Sequence, residues 1–121
     1  MVKHGMKQRQ TIGSPGYPTP EAELRAFVEK NVDRRWWPEG SARQYLSVMA
    51  SGDRVELLKK IKVPTLVLHG TADIPVPFAL GKATAEGIAQ ARLIEYPDSS
   101  HGIVLTERDR VTRDLQAFIS S

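Results

Sequence analysis

Two short segments place the strongest limit on how this chain can fold. Residues 63–69 (Val-Pro-Thr-Leu-Val-Leu-His) form an apolar, β-branched run that is typical of a strand buried on both faces of a sheet. Residues 91–96 predict a second strand, and a helical pattern follows each of the two. The order strand, helix, strand, helix gives a βαβα unit, whose right-handed crossover brings both strand-to-helix loops to one edge of the sheet. The predicted fold class is therefore α/β, with two parallel strands.

The 121 residues divide into three predicted segments. Residues 1–19 contain several glycines and prolines among basic side chains, which predicts an irregular basic arm. Residues 20–60 show helical periodicity, and residues 61–121 contain the βαβα unit. The chain is thus predicted to be a small α/β unit preceded by a helical segment.

Helical periodicity in residues 20–60 predicts two or three helices. The first begins at Pro20 and ends at the residues 36–40, Trp-Trp-Pro-Glu-Gly. A second runs over 41–50, and a short third over 54–60. The second helix is predicted to turn four side chains inward, which are Ala42, Tyr45, Leu46 and Met49.

The last helix of the βαβα unit has a strong amphipathic pattern. Thr106 is expected to cap it at its start. Its predicted buried stripe consists of Val111, Leu115, Phe118 and Ile119.

Composition excludes several classes of site. The chain has no cysteine, which excludes disulfides, thiolate metal sites and a cysteine nucleophile. It has no glycine-rich phosphate loop and no His/Asp spacing of a metal site, so we expect neither a cofactor nor a metal. No apolar run approaches the roughly 18 residues of a membrane span, and the first ten residues lack the apolar region of a secretory signal. We therefore expect a cytoplasmic protein that does not bind membranes.

The net charge of +3 comes from the first half of the chain. Its basic arm, together with Arg34 and Arg35 beside Trp36 and Trp37, would suit phosphates and stacked bases. A solvated arm followed by buried or interface tryptophans is the commoner arrangement. We therefore expect no nucleic-acid partner.

Asp73 and His101 are the candidate catalytic residues. Asp73 follows the first strand and His101 follows the second, so both belong to the carboxyl-end loops where open α/β sheets build their sites. A carboxylate that orients an imidazole is half of a serine-hydrolase triad. Taken alone, Asp73 suits a turn and His101 suits a loop, and only their joint placement favours chemistry. His69 is expected to satisfy a backbone group.

The same residues resemble the α/β-hydrolases. Residues 57–77 contain the His-Gly-x-x-Asp-x-x-Val-Pro pattern of that family's penultimate core strand, and residues 91–101 resemble its last strand and His loop. Upstream, residues 13–18, 38–44 and 51–54 look like the lid-to-core stretch of esterase-like and methylesterase-like members. The resemblance implies a partial α/β-hydrolase core preceded by lid-derived helices. It also implies that Asp73 is the triad acid and His101 the triad base.

The sequence departs from this family at the nucleophile. It contains no Gly-x-Ser-x-Gly elbow. Ser14 does not replace it, because Pro15 follows directly and lacks the N–H that would serve the oxyanion hole. We therefore expect no efficient ester hydrolysis from this chain alone.

Three interpretations remain open for the partners of this chain. A two-stranded sheet leaves an open edge, which a symmetric homodimer would cover; Phe27, Val32, Trp36 and Trp37 are the candidate interface residues. Alternatively, the chain is half of a split serine ester hydrolase and supplies Asp73 and His101 to a serine on an N-terminal hydrolase fragment. In the third interpretation it is a binding module that holds a small apolar ligand without converting it.

Overall fold

The computed structural model describes residues 1–34 and 37–121. Arg35, a member of the predicted basic cluster, and Trp36, a candidate interface residue, lie outside the described residues. Within it the elements follow in the order α1 (Val2–Thr11), α2 (Glu21–Arg34), α3 (Pro38–Ala50), α4 (Val55–Leu58), β1 (Thr65–Gly70), α5 (Phe78–Gly87), β2 (Ala91–Tyr96), α6 (Ile103–Thr106) and α7 (Arg108–Ile119). In the described part of the chain, no helix is long and apolar enough to cross a membrane.

The two strands pair in parallel, which confirms the α/β prediction. Their register runs from Thr65 opposite Ala91 to Gly70 opposite Tyr96. Paired residues of parallel strands point to the same face, so Leu68 and Ile94 lie side by side. They pack against a buried cluster on one face of the sheet, which consists of Tyr96, Ile103 and Val111. This cluster joins β2 to α6 and α7.

Helix α5 covers the opposite face of the sheet. Its Gly81 is buried against the His69 ring, and a Cβ at that position would lie 2.2 Å from His69 Nδ1. The ring also meets Phe78 edge-on, with 5.7 Å between the ring centroids. The absence of a side chain at Gly81 therefore lets α5 approach the end of β1.

The N-terminal segment corrects the prediction of an irregular arm over residues 1–19, because Val2–Thr11 form helix α1. Its Met6 is buried, and its Gly5 lies so close to α2 that a Cβ would be 2.7 Å from Val28 Cγ1. Packing against a neighbouring helix supplies most of a helix's stability in proteins and outweighs weak local propensity. The prolines that suggested irregular structure all lie beyond α1.

Helix α3 departs from the prediction at its start and on its faces. It begins at Pro38 rather than Ser41, because proline is well suited to a first helical turn. The face predicted to be buried is open, with Tyr45, Leu46 and Met49 exposed by 66%, 65% and 64%. Helix α3 thus presents an apolar face to its surroundings.

The last helix is buried over a narrower stripe than predicted. Val111 is buried, whereas Leu115 and Ile119 are exposed. Thr106 does not cap α7: Glu107 occupies the N-cap position, and Thr106 Oγ1 donates to the Gly102 carbonyl. The helix therefore depends on Val111 and on polar contacts near its first turns.

Those polar contacts centre on the Tyr96 ring, which is fully buried. Its hydroxyl donates to Asp114 Oδ2 at 2.5 Å, and the Arg110 guanidinium lies 4.1 Å from the ring centroid. Burial raises the pKa of Tyr96 well above its usual value, and the hydrogen bond to Asp114 and the charge of that carboxylate raise it further. The folded protein consequently holds this proton more tightly than the unfolded chain does.

We predict that stability falls as the pH rises above about 10, where the unfolded tyrosine loses its proton while the folded one retains it. The limiting slope for one such group is about 1.4 kcal/mol per pH unit. Tyr96→Phe should remove this component, as measured by urea unfolding between about pH 8 and pH 11. Tyr45→Phe on α3 is the matched control and should retain the component, because the Tyr96 hydroxyl remains. An unchanged slope in Tyr96→Phe would contradict the prediction.

Candidate active site

Asp73 is held by the turn that follows β1. Its backbone N–H donates to the Gly70 carbonyl at 3.3 Å. Its carboxylate is almost fully buried, with 6% of the side chain exposed, and Oδ1 accepts the Val76 N–H at 3.0 Å. These hydrogen bonds hold the turn in place and orient the Asp73 carboxylate, whose Oδ2 remains available to a second partner.

That second partner is His101, in the loop after β2. Its Nδ1 lies 2.9 Å from Asp73 Oδ2, and the imidazole is half exposed. The structure thus brings the two predicted residues together at one edge of the sheet. Because an ionised carboxylate only accepts hydrogen bonds, Nδ1 carries the ring proton and Nε2 is left as the basic atom.

His69 is a third member of the site. Its Nε2 lies 2.9 Å from the Val76 carbonyl oxygen, which accepts the ring proton, and 3.6 Å from Asp73 Oδ2. The expected role, satisfying a backbone group, agrees with this geometry. Its position against the Asp73 carboxylate was not expected, although both residues flank the same turn. His69 braces the loop that carries Asp73.

The loop that carries His101 is held from the far end of the sequence. Ser14 is buried, and its Oγ accepts the Ser100 N–H at 2.9 Å and lies 3.2 Å from Thr106 Oγ1. Two residues on, the Gly16 N–H donates to the Asp98 carbonyl at 3.0 Å. Ser14 therefore acts as a clamp on the His101 loop, a role that sequence reasoning missed because the contact spans 86 residues.

A second clamp on this loop is Ser99, which is fully buried. Its Oγ donates to the Glu107 carboxylate, and its carbonyl accepts the Ala72 N–H from the Asp73 turn at 2.9 Å. One loop residue thus ties the His101 loop both to α7 and to the turn of Asp73. In residues 1–34 and 37–121, no cluster of His, Cys, Asp and Glu side chains is suited to hold a metal ion.

The arrangement of these elements matches known proteins. Residues 26–121 match the α/β-hydrolase family model described as "TAP-like protein". Two curated relatives are a bifunctional esterase/perhydrolase from Acinetobacter calcoaceticus, 41% identical, and a non-heme chloroperoxidase from Burkholderia pyrrocinia, 38% identical. Each match covers 79% of this chain and 37% of the relative, so the chain spans well under half the length of these proteins.

A solved structure shows the same likeness over the whole chain. The esterase from Exiguobacterium antarcticum superposes with a TM-score of 0.74 at 25% identity, over 99% of this chain and 47% of that one. The two strands, their loops and the surrounding helices therefore have the arrangement of one part of a larger known fold.

We predict that Asp73 sets the tautomer of His101. In Asp73→Asn the new amide oxygen can take the place of Oδ1 at Val76, which turns the NH₂ group toward Nδ1. His101 should then accept at Nδ1 and carry its proton on Nε2. Ring ¹⁵N shifts at about pH 9, where an imidazole is ordinarily neutral, should report this exchange of tautomers.

His4 is the internal control for that experiment, because it is an exposed histidine of α1 and its ring ¹⁵N shifts should be the same in both proteins. An Nδ1–H tautomer of His101 that persists in Asp73→Asn would show that the carboxylate does not orient the ring.

Proposed function

This chain belongs to the α/β-hydrolase family, and from that membership we propose that Asp73 and His101 are the acid and base of a serine ester hydrolase site that lacks its own nucleophile. The hydrogen bond between His101 Nδ1 and Asp73 Oδ2 carries the proposal. It supplies the oriented imidazole that ester hydrolysis requires, while no Gly-x-Ser-x-Gly elbow is present in the sequence.

Each residue would take a separate step in the proposed reaction. With its proton on Nδ1, His101 would accept the hydroxyl proton of an attacking serine at Nε2 and later donate it to the departing alcohol. Asp73 would remain ionised throughout and stabilise the imidazolium that forms between these two steps. The imidazole is half exposed, so the ring is open to a partner.

Ser14 does not supply the nucleophile. Its Oγ is buried and accepts a hydrogen bond from the Ser100 N–H. Loss of the serine from a triad of this kind lowers turnover about a millionfold. We therefore propose that the chain does not hydrolyse esters efficiently by itself and that a serine-bearing hydrolase fragment is the partner that restores activity.

Complementation tests this proposal. The purified chain would be mixed with the part of the Acinetobacter esterase/perhydrolase that lies outside the 37% matched here. We expect p-nitrophenyl acetate hydrolysis to rise above that of either component alone, and His101→Ala to abolish the rise. Asp73→Asn should reduce it by as much as about 10⁴-fold, because the wrong tautomer then faces the serine.

His4→Ala is the matched control, since His4 is an exposed imidazole on α1. It should leave the complemented activity unchanged. No rise with the wild-type chain would refute the split-hydrolase interpretation. If the chain alone hydrolyses the ester and His101→Ala abolishes that activity, the proposal that the chain lacks a nucleophile is wrong.

We further propose that the chain forms a homodimer through the exposed apolar face of α3. Two residues that the sequence indicated for the interface, Phe27 and Val32, are less suited to this contact because they are half-buried in the chain itself, whereas Trp37 is 46% exposed beside the start of α3. Every residue from Ser41 to Ala50 is exposed, and a self-complementary apolar face is what a two-fold contact requires.

Light scattering behind a sizing column should give twice the 13.5 kDa mass of one chain. Leu46→Glu places a charge in the proposed interface and should yield monomers. Gln44→Glu introduces the same charge on the other side of α3 and should remain dimeric. A monomeric wild-type chain, or dimers that survive Leu46→Glu, would contradict this interface.

A further inference from the structure

A cavity of about 270 Å³ adjoins His101 between the N-terminal helices and α6. Its apolar lining comes from Ile12, Leu24, Phe27 and Leu105. The first three of these side chains are half-buried, so the cavity is a formed part of the fold. Its volume suits a small organic molecule, near the lower end of ordinary ligand pockets.

The charge at this cavity is unbalanced. Arg9 and Arg108 line it together with a single carboxylate, Glu23. The Arg9 guanidinium lies 4.9 Å from the centroid of the Phe27 ring, and the residue is half-buried. Among the described residues, no carboxylate lies within ion-pair distance of Arg9 or of Arg108.

A half-buried guanidinium that lacks an acidic partner is well placed to bind an anion. Its planar fork binds a carboxylate through two parallel hydrogen bonds, and stacking on an aromatic face keeps the fork in a fixed orientation. Phe27 supplies that face, and the apolar side chains beside it would accept the rest of the ligand. His101 lies in the same lining, so an occupant would contact the imidazole.

We propose that this cavity binds a small monocarboxylate with an apolar body, with Arg9 as the residue that recognises the carboxylate. The apolar body packs against Leu24, Phe27 and Leu105 and reaches the His101 ring. This goes beyond the hydrolase proposal, because binding requires neither a nucleophile nor a second chain. The carboxylate also distinguishes this ligand from the purely apolar molecule expected of a simple binding module.

The probe is 4-phenylbutyrate, and 4-phenylbutanamide is its uncharged counterpart. Titration calorimetry of the wild-type chain should show binding of the acid and at least about tenfold weaker binding of the amide, the ratio expected for loss of a charge-assisted hydrogen bond. The His101 ring resonances should shift on addition of the acid, which places the probe in this cavity.

Variants separate recognition from general charge effects. Arg9→Gln should weaken binding of the acid about tenfold or more, and Arg9→Lys should retain part of it because the charge remains while the fork is lost. Lys7→Gln removes the same charge from the same helix outside the cavity lining, and should leave binding unchanged.

Glu23→Gln keeps the result interpretable if Arg9→Gln disturbs α1. It removes the one carboxylate of the lining and should strengthen binding of the acid but not of the amide, a gain that unfolding cannot produce. Equal binding of acid and amide would refute the proposal in favour of an apolar ligand. No binding at millimolar probe, or binding that Arg9→Gln leaves unchanged, would refute it outright.

Discussion

The close approach of Gly70 to the loop after β2 is the constraint on which the site depends. A Cβ at Gly70 would lie 2.3 Å from the Ser99 carbonyl oxygen and 2.7 Å from that of Ser100, so any side chain there would separate the two loops. Backbone hydrogen bonds hold them together: the Thr71 N–H donates to the Tyr96 carbonyl, and the Ala72 N–H to that of Ser99. Because the loops touch, Asp73 and His101 can meet although they come from different strands. The pairing of β1 with β2 fixes where the loops begin, and the glycine fixes how closely they approach.

The parts of the fold that could be predicted from sequence are those set by local pattern. The apolar run that ends at His69 and the residues 91–96 indicate strands from their local sequence alone. The chirality of the crossover then places the loops after both strands at one edge of the sheet. Helix α1 was missed because its stability comes from Met6 and Gly5 packing against α2, which no local pattern contains. The ordinary rule that the apolar face of a helix is buried predicts a core position for the apolar residues of α3. For α3 the apolar pattern predicts the helix correctly, but the rule predicts burial for side chains that are exposed.

The site divides in the same way between local and long-range determinants. Asp73 and His101 could be named from their positions after the two strands, and their contact followed from topology. The residues that hold them in place could not. Ser14 reaches the His101 loop across 86 residues, and the Ser99 hydroxyl meets Glu107 only because α6 turns the chain back. Buried hydroxyls of this kind have no sequence signature, since a serine in a Gly-Ser-Pro-Gly stretch reads as an ordinary turn residue.

The residues around the His101 imidazole come from different parts of the chain. Asp73, on the Nδ1 side, lies within the residues that match the family model, whereas Arg9 and the rest of α1 precede them. The contact between His101 and Asp73 is held by backbone hydrogen bonds between the two strand-end loops and by the contacts of Ser14 and Gly16 with the His101 loop, and none of these residues belongs to α1. Substitution of the cavity-lining Arg9 in α1 should therefore leave the hydrogen bond from His101 to Asp73 intact. The proposed recognition of a carboxylate and the proposed proton transfer would therefore share one imidazole but depend on different supporting contacts.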